Sequence, residues 1–141
     1  MTTSADLLTE LKARIDALVP TTRAGADDRY QVQIGVRHTY LGSRAVLLSC
    51  NPGHRVFAPI GCSDWEVQLL IEVWYIDQQG AYLRACEDAE QICDDLYDWV
   101  ASVAGQTLGI LQIEPDMANI QGADNELFCS RSVRIRYAGL P

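Results

Sequence analysis

The stretch "WEVQLLIEVWYI", Trp65 to Ile76, decides how the rest of the chain is read. Trp65, Val67, Leu69, Ile71, Val73 and Tyr75 fall on one side of an extended backbone; Glu66, Gln68, Leu70, Glu72, Trp74 and Ile76 fall on the other. This period of two is the pattern of a long strand. The wholly apolar side is a core face, and the mixed side suits a sheet surface that meets solvent or another subunit.

Just beyond it, "GAYLRACEDAEQICDDLYDWVASVAG" from Gly80 to Gly105 changes to a helical period. At 100° per residue, Tyr82, Cys86, Ala89, Cys93, Leu96, Val100 and Val103 gather on one side, and Arg84, Glu87, Asp88, Gln91, Asp94, Asp95 and Asp98 on the other. The first side is expected to pack on the sheet, with Cys86 and Cys93 in the core. Within a regular helix those two thiols stand about 10 Å apart along the axis, too far for a disulfide or for one shared metal ion. Glu87, Asp88, Asp94, Asp95 and Asp98 form a candidate acidic surface. No histidine joins them, so neither a metal nor a cofactor is expected there.

Toward the N-terminus, "RAVLLSC" and "YQVQIGV" read as two further strands, paired as a hairpin around Gly42. Between them and the long strand, "NPGHRVFAPIGCSD" holds two prolines and two glycines and reads as a loop over residues 51–64. The chain opens with a helix in which Leu7, Leu8, Leu11, Ile15, Leu18 and Val19 share a face, Thr3 and Asp6 suggest a capping box, and Pro20 stops the run. Past Gly105, "GILQIEP" reads as a short strand, "DMANIQGADNE" as a connection and "LFCSRSVRIRY" as the last strand. The order predicted is α-β-β-β-α-β-β, an α+β domain spanning residues 1–141. It has a mainly antiparallel sheet of four to five strands and two amphipathic helices on one face.

Composition narrows the function. Hydrophobic residues make up 48% of the 141 residues and charged ones 21%, the profile of one globular domain. No apolar run approaches the roughly 20 residues of a membrane span, and the first residues do not form a signal peptide, so no membrane association is expected and synthesis is placed in a cytoplasm. A net charge of −8 disfavours a nonspecific grip on nucleic acid. Five cysteines without a C-x-x-C pair suggest neither a disulfide framework nor a zinc ribbon. Phosphate-binding, nucleophile-elbow, zincin and EF-hand motifs are all missing. One nucleophile reading stays open, a thiolate at Cys50 or Cys62 activated by His54.

Charge is unevenly placed along the chain. The second helix carries six carboxylates and one arginine between Arg84 and Asp98, whereas the segment from Leu127 onward carries three arginines and no acid. Arg131, Arg134 and Arg136, with Glu66, Glu72 and Trp74 on the long strand, are the candidate subunit or tube interface. Two readings stand: the arginines meet carboxylates of another copy, or Arg134 and Arg136 pair with Glu66 or Glu72 in the same sheet.

The order of elements, with Pro20 closing the first helix, the long alternating strand, the helix "CEDAEQICDDLYDWV" and the closing strand "SVRIRYAGLP", resembles the tail terminator (tail completion) proteins of long-tailed bacteriophages. The resemblance spans nearly the whole chain and rests on order. It implies a structural virion protein, not an enzyme. Such a protein forms a hexameric homo-oligomer ring that caps the tail tube, ends tube polymerisation and presents the head-tail joining surface. The partners implied are the tail tube protein and head-tail connector proteins, with DNA passing through the lumen without specific binding. The location implied is the head-proximal end of the virion tail, after assembly in the host cytoplasm. Another neck protein, a small binding domain and a cysteine-dependent enzyme are the alternatives, and loop 51–64 is a candidate contact arm.

Overall fold

The computed structural model describes residues 3–21, 29–35, 44–51, 54–55, 64–76, 80–123 and 126–138. Helix α1 covers Ser4–Ala17; strands β1 (Gln31–Ile34), β2 (Ala45–Cys50), β3 (His54–Arg55) and β4 (Asp64–Ile76) follow. Helices α2 (Ala81–Ala101) and α3 (Val103–Leu108) precede strands β5 (Ile110–Ala123) and β6 (Glu126–Ala138). Among the described residues six strands form one sheet in the order β1-β2-β4-β6-β5, with β3 beside β4. The class is α+β as read from the sequence, and the sheet is mixed.

The long strand is the spine of this sheet. β4 pairs with β6 along its whole length, from Asp64 opposite Ala138 to Ile76 opposite Glu126. Val67, Leu69, Ile71, Val73 and Tyr75 are buried, as the alternation requires, and face the helices. β6 supplies Leu127, Cys129, Val133, Ile135 and Tyr137 to the same layer, and β2 supplies Val46 and Leu48. α1 covers the β1 and β2 end, while α2 lies over β4, β6 and β5. Thr3 and Asp6 form the capping box expected, and the hydrogen bond from the Thr3 amide lowers the Asp6 pKa.

Three expectations are corrected. β1 and β2 are parallel, Gln31 opposite Ala45 and Ile34 opposite Leu48, not the two arms of a hairpin. Alternation reports which side chains share a face but says nothing of strand direction. The turn expected around Gly42 falls at residues 36–43, outside the described residues. Secondly, the segment 51–64 contains a short strand, His54–Arg55, paired with Trp65 and Glu66 of β4. The Asn51 amide donates to the Gln68 carbonyl (3.2 Å) and Asp64 opens β4, while residues 52–53 and 56–63 of the proposed contact arm lie outside the described residues. Thirdly, the connection read after Pro115 is strand. β5 runs on through 123 and stays paired with β6, absorbing Pro115 at an irregularity between Pro115 and Met117.

α2 and α3 are separated by one residue, Ser102. Its amide and its hydroxyl both donate to the Trp99 carbonyl (3.1 and 2.6 Å), and its Oγ accepts the Gly105 amide (3.1 Å), so one side chain closes one helix and caps the next. Gly105 fits only as glycine, because a Cβ there would stand 2.1 Å from the Trp99 carbonyl oxygen.

Candidate functional site

The second face of the sheet carries most of the residues expected to form an interface. β4 and β6 set Glu66 opposite Arg136, Gln68 opposite Arg134, Leu70 opposite Ser132, Glu72 opposite Ser130 and Trp74 opposite Phe128. Each pair points away from the helices, because these are the even-numbered positions of a strand whose odd-numbered ones are core. Arg136 approaches Glu66 at 3.7 Å with both side chains partly exposed, which is the in-sheet pairing weighed from the sequence. Gln68 donates to Ser132 (2.8 Å), and the Trp74 indole N–H donates to Glu72 (3.0 Å). Trp74 stacks on Phe128, ring centroids 4.4 Å apart, and forms with Ala45 and Leu47 a small apolar cluster separate from the main core. Beside it Ser49, Cys50, Asn51, Gln68, Leu70 and Ser132 line an open hollow of about 420 Å³.

Arg131 does not belong to this surface. It faces Ile71 across the ladder, on the helix side of the sheet. There its charge acts on the thiols of Cys86, Cys93 and Cys129, opposing the burial that raises all three pKa values. Cys129 is buried, but Cys86 and Cys93 are only half-buried, at the margin of the core and not within it. Burial also raises the Cys50 thiol pKa, away from the thiolate a nucleophile needs, while Cys62 lies outside the described residues.

The acidic face of α2 divides. Glu87, Asp94 and Asp98 are exposed, as expected. Asp95 is half-buried and held by Arg14 of α1 in a two-pronged pair, Nε at 2.6 Å and Nη2 at 3.0 Å, which joins the two helices. Asp88 is no surface residue: it is fully buried. The side of α2 that enters the core comprises Ala81, Ala85, Asp88, Ala89, Ile92, Leu96 and Trp99, about 65° round the helix from the side expected. Bulky Tyr82 and Val103, counted as core, are instead 57% and 80% exposed. The missed signal is the run of alanines four apart, which lets a helix sit close to a sheet.

Asp88 is held by groups from three strands' ends. Its Oδ1 accepts from Arg44 Nη1 (3.0 Å) and from the Tyr30 hydroxyl (3.1 Å), and Oδ2 accepts from the Tyr75 hydroxyl. The Tyr30 hydroxyl also lies 2.9 Å from Gln91 Oε1, so its single proton serves one acceptor at a time. Gln91 is fixed in turn by the Val19 carbonyl and the Thr21 amide. Arg44 is 5% exposed, its guanidinium lies about 6 Å from both tyrosine rings, and its backbone is left-handed at φ 59°. The cluster is closed and polar-satisfied, with the character of a structural fastening between α2 and the β1, β2 and β4 strands.

Among the described residues no three His, Cys, Asp or Glu side chains are grouped so as to hold a metal ion, and no helix is long and apolar enough to cross a membrane. No protein-family model matches the sequence, and no curated protein matches it. The chain is similar to one in the structure titled "Virion of native gene transfer agent (GTA) particle", at 17% identity and a TM-score of 0.49, covering 77% of this chain and 78% of that one. A likeness of that degree carries no weight on function.

Proposed function

We propose that this chain is a structural protein of a tailed-phage virion that caps the tail tube as a hexameric ring, ends tube polymerisation and forms the head-tail joining surface. The order of elements on which the resemblance to tail terminators rests supports this reading. The observation that carries it is the two-sided sheet. One face is sealed by α1 and α2, while the other, uncovered by any described helix, carries the partly exposed Glu66, Arg134 and Arg136 beside the small Trp74–Phe128 cluster, in which Trp74 is itself buried. Partly exposed charged and polar side chains around a firm apolar cluster suit a protein contact in which charge sets orientation. A ring contact is heterologous, so this face meets a different surface on the next copy or on the tube.

In this reading the protein is not an enzyme and holds no cofactor. Its partners are the tail tube protein and the connector proteins of the head, and its place is the head-proximal end of the tail. The net charge of −8 suits a lumen through which DNA slides without sticking. Native mass measurement of the protein with purified tail tubes tests this. Six copies retained at a tube end is the expected result. A monomer that ignores tubes while turning over a thioester or amide would overturn it.

A further inference from the structure

α2 carries more apolar surface than its own domain uses. Ala81, Ala85, Ala89, Ile92, Leu96 and Trp99 enter the core, yet a second stripe, Tyr82, Cys86, Cys93 and Tyr97, runs beside them with both tyrosines more than half exposed. The direction of this stripe follows from the opposite flank. Asp88, Gln91 and Asp95 reach toward Tyr30, Val19 and Arg14, at the α1 and β1 end of the molecule. The stripe therefore looks the other way, over the β5 end of the sheet. β5 is the last strand in the order, and no described strand pairs with its outer side along its 14 residues. On either side of Pro115, which has no N–H to give, such an edge strand offers main-chain donors and acceptors to another strand.

Helix stripe and strand edge thus form one unfinished side of a two-layer domain, and we infer that a second copy of this chain completes it across a twofold axis, β5 against β5 and α2 against α2, both antiparallel. The spacing of the stripe selects this occupant. Tyr82 and Tyr97, like Cys86 and Cys93, are symmetric about the midpoint between Ala89 and Glu90. In an antiparallel pair, Tyr82 of one copy meets Tyr97 of the next and Cys86 meets Cys93, so the surface is self-complementary, as a twofold contact requires. The size also suits. The 14-residue strand is roughly 46 Å long and the 21-residue α2 roughly 31 Å, which with layers of roughly 9 Å each gives about 700 Å² per copy, within the range of a stable interface. Glu90 falls beside the axis, where two copies bring like charges together, so the contact should tighten when Glu90 is neutralised. The contact lies on a different side of the domain from the face proposed for the ring, and the dimer is the form of the free chain, which parts when six copies assemble on a tube.

Two measurements on the full chain test it. In sedimentation, the wild type should run at twice the chain mass. Tyr82→Glu/Tyr97→Glu should run at the single mass with an unchanged circular dichroism spectrum, Arg134→Glu/Arg136→Glu should stay at twice the mass, and Glu90→Gln should lower the dissociation constant about 3-fold or more. In a chain with Cys50, Cys62 and Cys129 replaced by serine, diamide should join Cys86 of one copy to Cys93 of the other. Each bond releases two thiol protons and two electrons to the diamide, which becomes the hydrazine. A wild type at single mass up to 100 µM, a dimer split by the arginine reversal but not by the tyrosine changes, or cross-links only between like cysteines would overturn the inference.

Discussion

Asp88 shows what one residue costs and gives in a core. A buried carboxylate is tolerated only when its charge is matched and its lone pairs are filled, and Arg44, Tyr30 and Tyr75 do both. Removing one partner leaves the other charge stranded, so Asp88→Ala should destabilise the fold by about 3–5 kcal/mol, read from chemical denaturation. The tyrosines provide a test in pH. Burial first, and then the Asp88 charge, raise the pKa of Tyr30 and Tyr75 well above the ordinary value of 10.0. The folded state therefore holds these two protons more tightly than the unfolded chain does. That contribution is complete below pH 10 and is lost as the pH climbs above it. Spectrophotometric titration should show Tyr30 and Tyr75 resisting ionisation above pH 10 and ionising only together with unfolding. None of this was legible in the sequence. Asp88 sits among five other carboxylates of α2, and what separates it from them is the position of Arg44, which is distant in sequence and left-handed in backbone.

At the scale of elements, legibility followed the length of the pattern. β4 could be read because its alternation runs unbroken, and α1 because its stripe and its capping box agree. The pairing of β1 could not, since four residues fix neither direction nor neighbour. β5 was cut short in the reading because proline and glycine signal turns, whereas the ladder to β6 absorbs both. α2 was identified correctly as a helix but turned to the wrong side, because Tyr82 and Val103 outweighed the small alanines that face the sheet. The break after α2 supplies two further tests. Ser102→Ala loses the side chain that caps α3 and should cost about 1 kcal/mol. Gly105→Ala drives a methyl into the Trp99 carbonyl, and since backbone must move, a loss of about 3 kcal/mol or more is expected in thermal or denaturant melts.

For the whole molecule, the candidate interface read from the sequence splits across the sheet. Glu66, Glu72, Trp74, Arg134 and Arg136 share the helix-free face, while Arg131 lies under α2. Parity along β6 already separated 131 from 134 and 136; grouping by charge hid it. The ring proposed here uses the helix-free face, so Arg134→Glu/Arg136→Glu should abolish attachment to tubes while leaving the melting temperature within a few degrees, as partly exposed charges contribute little to stability. The central claim, that the protein stops a growing tube, is tested most directly by electron microscopy of tail tube protein polymerising with and without it. Tubes of bounded length, each with a six-fold ring at one end, are the predicted result, and the arginine reversal should restore unlimited growth with bare ends. Tubes that lengthen equally in the presence of the wild-type protein, without added density at either end, would contradict the account.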